Sequence, residues 1–250
     1  MDMDGLEERM LTLRREIRVA SAAGDHARVR SLRAELRQVE RTWEEAINPP
    51  PAPPAPVREH VHQALTLLGV PAAAKTIVAV DESFFSGTIT NAKLTSLRRD
   101  EERSFRSSPN SRPYYLCAAL SAERLSPVRG VLAVSTWPLH RRIIGPLSPR
   151  TDLLTSTIRI AEHLQRLTRA GESPLGGFRL LTAMAQNIPG AVADFGPADP
   201  DRVITAARAE LAVHEEKDQQ HRKAVAERAA SQLAEVNQLF GAGLRTASTA

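Results

Sequence analysis

The chain of 250 residues contains one cysteine, Cys117, so an internal disulfide and any zinc site built on paired cysteines are excluded. Aromatic residues amount to 4%, which leaves the core to aliphatic side chains. Lysine is scarce: arginine supplies 29 of the 33 basic residues, a bias that a GC-rich genome produces and that names no partner by itself. Long apolar runs are missing too. The longest, TIVAV and GVLAV, fall far short of the roughly 20 residues that span a bilayer. The opening MDMDGLEERM is acidic and lacks the basic start and apolar stretch of a signal peptide. A cytoplasmic protein without membrane association is expected.

Catalytic signatures are also scarce. Gly176 and Gly177 lack the flanking pattern that cradles a phosphate. His214 and His221 stand seven apart, where the helical zinc motif needs a spacing of four. Cys117 sits inside the apolar run YYLCAAL with no histidine beside it, the setting of a buried structural thiol. Together these imply a non-enzymatic chain with no catalytic residue, metal, cofactor or identifiable small-molecule ligand.

Charge is unevenly spread. Residues 1–47 hold nine basic and ten acidic side chains, residues 57–150 hold thirteen and seven, and residues 151–250 hold eleven and twelve. The positive excess therefore lies in the middle third, which marks that stretch as the candidate for a polyanion.

Apolar spacing divides the chain further. Leu6, Met10, Leu13, Ile17 and Ala20, then Val29, Leu32, Leu36, Val39 and Trp43, step by threes and fours, which predicts a helical hairpin or coiled coil over 1–47. Gly24 suits the end of the first helix and Asp25 the cap of the second. NPPPAPPAP at 48–56 predicts an extended, proline-stiffened linker of about 28 Å at about 3.1 Å per residue. A helical segment follows over 148–198, then one long helix over 199–241 and a disordered tail over 242–250. The long helix has apolar ends, Val203, Ala207 and Leu211, then Leu233, Val236 and Phe240, and a polar middle, a pattern that suits a dimerisation arm better than a core.

Within the basic middle, TNAKLTSLRRDEERSFR at 90–106 sorts at helical spacing into two faces. Leu94, Leu97 and Phe105 share one; Thr95, Ser96, Arg99, Arg103 and Arg106 gather opposite. Thr90 or Asn91 can cap this helix. Arg98 stands three and four positions before Glu101 and Glu102, the spacing of a local ion pair. Two helical candidates, VREHVHQALTLLG and AAAKTIVAVDESFF, precede it, and two strand-like runs, RPYYLCAAL and GVLAVSTW, follow.

In this order and pattern, residues 57–147 resemble the winged helix-turn-helix domains of bacterial transcription regulators. The resemblance implies a mainly α fold with a small β-hairpin, a winged helix core flanked by the N-terminal helical hairpin and long C-terminal helices. It further implies double-stranded DNA as partner, a homodimer on paired half-sites and a role in transcription regulation. Arg99, Arg103, Thr95, Ser96 and Arg106 would face the major groove, where bidentate arginine–guanine pairing is the commonest specific contact. The loop SAERLSPVR would carry Arg124 and Arg129 at the hairpin tip, against the backbone or minor groove. The alternative is a scaffold protein whose winged helix and coiled-coil arms bind other proteins. Residues 135–150, STWPLHRRIIGPLSPR, have no part in either scheme.

Overall fold

The computed structural model describes residues 3–47, 56–85, 87–193 and 196–241. Most of the expected linker over 48–56 and the whole expected tail over 242–250 lie outside them. The chain divides into two units, residues 1–54 and 55–250.

The first unit is a pair of helices, α1 (Met3–Ala22) and α2 (His26–Ile47). Gly24 turns the chain at φ +73°, a conformation open to glycine at little cost, and the Asp25 carboxylate accepts from the Arg28 N–H at 3.0 Å. Leu13, Ala20, Val29 and Leu32 are buried between the helices, with Ile17, Leu36 and Val39 packed against them. The seam is thus closed within the hairpin. Arg9–Glu35 at 2.5 Å and Arg14–Glu40 at 3.1 Å tie the two helices together.

The second unit is mainly helical around a small four-stranded sheet. Its elements run α3 (Val57–Leu68), β1 (Ala72–Ala73), α4 (Ala74–Phe84), α5 (Asn91–Ser107), β2 (Leu116–Ser121) and β3 (Pro127–Val134). After these come a 3-10 turn (Leu139–Arg142), β4 (Ile143–Ile144), α6 (Ser148–Arg169), α7 (Leu175–Ala185), α8 (Pro200–Gln232) and α9 (Glu235–Phe240). The strand order is β1-β3-β2-β4, antiparallel except for the β2–β4 pair. Residues Leu116 to Leu120 of β2 are all buried, because helices cover both faces of this central strand. That explains an apolar run without alternation.

Three features differ from expectation. Ala72 and Ala73, read as the start of a helix, pair with Leu132 and Val131 of β3 instead. Residues 135–150 acquire a role: Ile143 and Ile144 add a fourth strand beside β2, and Ser148 opens α6. The third is the long C-terminal helix, which ends at Gln232 and is followed by α9.

That helix does not stand away from its own unit as an arm. Val203, Ile204 and Ala207 are buried in the main core, and Val225, Ala226 and Ala229 pack on Leu120, Leu125 and Ile143. The polar middle continues the same stripe: from Val203 the positions run 207, 211, 214, 218, 222, 225 and 229, every step a three or a four. Asp218 and Arg222 are 3% and 6% exposed. Asp218 accepts from Ser148 Oγ at 2.8 Å, Thr151 Oγ1 at 2.7 Å and Arg222 Nε at 2.6 Å. Arg222 also donates to Asp152 at 2.6 Å. Buried charges need such partners, and these hold the middle of α8 to the start of α6.

Candidate nucleic-acid interface

Helix α5 is set in place by its own inward face. Thr90 caps it, its side chain accepting from the Lys93 N–H at 3.3 Å. Leu94 and Phe105 are buried, and Leu97 packs against the core. Between them, on the same stripe, lies Glu101, 1% exposed. Its carboxylate accepts from Arg112 Nη1 at 2.8 Å, Arg58 Nε at 3.2 Å and the Leu116 N–H at 3.0 Å. One buried acid therefore joins α5 to α3 and to the first residue of β2.

The opposite neighbour is a bulge. Leu116, Cys117 and Ala118 pair with Val134, Ala133 and Leu132, but Leu120 pairs with Pro127, so β3 carries extra residues between Pro127 and Leu132. Bulges bend a strand and redirect its side chains. Gly130 supplies the left-handed conformation at φ +73°, and Arg129 beside it is exposed. Arg129 therefore stands in a strand rather than at the hairpin tip. The hairpin turn holds Arg124, which is also exposed. Its neighbours Ala122 and Leu125 are buried against α8, and Arg228 of α8 donates to the Ala122 carbonyl. The two arginines assigned to one wing loop thus occupy different places.

Between α5 and the bulge lies a cleft of about 530 Å³, lined by Thr95, Arg98, Arg99, Glu102, Arg129 and Gly130, with Ala74, Leu94 and Leu132 at its floor. Three of the expected contact residues, Thr95, Arg99 and Arg129, meet here. Arg98 joins them, against the expectation of a local ion pair: Glu101 is turned inward, and Glu102 is held by Arg106 at 2.8 Å. Arg98, Arg99 and Arg129 have no ion pair or hydrogen bond among the described residues. Guanidinium groups stay charged at every accessible pH. The cleft therefore presents three unpaired cations against one acid that is already partnered.

The remaining expected residues, Ser96, Arg103, Arg106 and Arg124, lie outside the cleft. Thr95 Oγ1 and Ser96 Oγ donate to helix carbonyls, those of Asn91 at 3.1 Å and Ala92 at 3.2 Å, leaving their lone pairs free to accept. Arg103 faces Asp100 at 3.4 Å on the exposed surface. Ion pairs as open as Arg103–Asp100 and Arg106–Glu102 contribute about 0 to 1 kcal/mol.

The sole cysteine offers no reactive centre. Cys117 is fully buried, its thiol pushed up by burial, with Ala133 O at 3.6 Å and Arg142 Nη1 at 3.9 Å. Among the described residues no group of three His, Cys, Asp or Glu side chains is placed to hold a metal ion. None of the described helices is long and apolar enough to cross a membrane. Comparison of the chain with protein-family models, curated proteins and solved structures finds no match.

Proposed function

We propose that residues 57–147 form a winged helix-turn-helix that binds double-stranded DNA, and that the protein is a dimeric regulator of transcription. The observation that carries this reading is the cleft in which Arg98, Arg99 and Arg129, without partners among the described residues, meet beside Thr95. The element order α3-β1-α4-α5-β2-β3 supports it, with β1 and β2 flanking β3, as in the winged arrangement. The major groove admits one α-helix. In this reading α5 enters it with Thr95, Ser96, Arg99 and Arg103 toward the bases, while Arg98 and Arg129 hold the adjoining strand backbone and Arg106 the rim. Arg124, seated on the turn against α8, reaches only a phosphate outside the cleft. The dimer is assigned to the outer face of α1, where Leu11 and Val19 are 65% and 66% exposed, on the side away from the hairpin core.

Titration of a fluorescent duplex tests the reading. Each arginine that neutralises a phosphate contributes about 0.9 to the slope of log affinity against log salt. Replacing Arg98, Arg99 and Arg129 together by Gln is expected to lower that slope by about 2 to 3. An unchanged slope in a folded variant overturns the proposal.

A further inference from the structure

The N-terminal hairpin is nearly neutral by composition, yet its charges are not evenly arranged. On α2, Arg30, Arg33, Arg37 and Arg41 recur at steps of three, four and four, which places them within about a quarter turn of one another. All four are exposed, and none has an ion pair or hydrogen bond among the described residues. On the same helix Glu35 and Glu40 reach across to Arg9 and Arg14 of α1, while Glu44, three positions beyond Arg41, is exposed. The internal pairing that ties the hairpin together thus leaves a row of four arginines on its flank with no partner among the described residues.

We propose that this row is a second surface for double-stranded DNA, one that grips backbone phosphates without reading sequence. At about 1.5 Å of rise per residue the row is about 16 Å long, and a duplex carries one charge per about 1.7 Å of its axis, so a straight line of cations meets several phosphates at once. Arginine is the side chain suited to paired hydrogen bonds with phosphate oxygens. A membrane surface fits poorly. A helix lying on lipid needs a free apolar face beneath its basic one, and the apolar face of α2, with Val29 and Leu32, is buried against α1. The only apolar residue within the row is Ala34.

The inference does not depend on α5 entering a groove, and the test separates the two. The full chain is titrated against a random-sequence duplex of about 30 base pairs over about 50 to 250 mM salt. Three proteins are compared: wild type, the variant with Arg30, Arg33, Arg37 and Arg41 all replaced by Gln, and the cleft variant described above. Loss of about 3 to 4 from the slope in the α2 variant, with its circular dichroism unchanged, is the expected result. A slope equal to wild type overturns the inference, whatever the cleft variant does. A slope lowered only by the α2 changes upholds it and removes the cleft proposal instead. Failure of the wild-type protein to bind the duplex overturns both.

Discussion

Replacing Glu101 with Ala is expected to unseat α5 more than any other single change on that helix. The carboxylate is 1% exposed and accepts three hydrogen bonds, from Arg58, Arg112 and the Leu116 N–H. Breaking a fully buried ion pair from one side costs about 3 to 5 kcal/mol, but here the arginine side chains retain 21% and 37% exposure and recover part of their hydration. The Leu116 N–H has no such escape and costs about 1 to 3 kcal/mol when left without an acceptor. A total near 3 kcal/mol follows, and for a unit of this size that lowers Tm by about 6 to 12 °C. Calorimetry of the full chain reads it. Glu101→Gln keeps the shape and one acceptor oxygen but turns an NH2 toward either the arginines or Leu116, so it is expected to fall between Ala and wild type. A Tm within about 2 °C of wild type for Glu101→Ala would mean that the three contacts do not hold α5.

Two further outcomes are expected. Asp152 is pushed up to about 6, chiefly by burial, with Asp218 adding to the rise while Arg222 and Arg141 oppose it. A carboxyl raised in the folded state favours folding while it is protonated and loses that contribution as pH climbs through the raised value. Urea unfolding is therefore expected to show wild type gaining on Asp152→Asn as pH falls from about 7 to about 4, and wild type gaining on the variant as pH rises contradicts it. Light scattering at micromolar concentration is expected to give two chains per particle. The double change Leu11→Ser and Val19→Ser is expected to give one, and a wild-type mass of 27.3 kDa rules the dimer out.

Helices with a clean apolar stripe were legible in the sequence. The hairpin seam over Leu13, Ala20, Val29 and Leu32 is one case, with Gly24 and Asp25 at its turn, and α5 with Leu94 and Phe105 is another. What escaped were charged residues standing in the stripe itself. Glu101 in α5 and Asp218 with Arg222 in α8 occupy core positions by spacing, yet read as solvent-facing because their charge is matched only in three dimensions, by Arg58, Arg112, Asp152 and the hydroxyls of Ser148 and Thr151. For α8 this turned a packed helix into an apparent free arm. The available signal was the unbroken register through 218 and 222. Short strands escaped for a different reason: the pairs Ala72–Ala73 and Ile143–Ile144 are too brief for periodicity and exist only because β3 and β2 offer an edge. The displacement of Arg129 from the hairpin tip follows from a bulge whose one local sign was Gly130. The arginine row of α2 was hidden by counting net charge over the arm, since that count does not separate Arg9 and Arg14, which are paired, from Arg30, Arg33, Arg37 and Arg41, which are not.

Selection from a random duplex library is the most direct measurement of the claim that α5 reads the major groove. Wild type is expected to enrich a defined sequence. Arg99→Ala is expected to lose preference at one base position by about 1 to 3 kcal/mol, while Arg129→Ala weakens all sequences alike. A wild-type protein that enriches no sequence, or an Arg99→Ala variant that enriches the same one with the same discrimination, contradicts it.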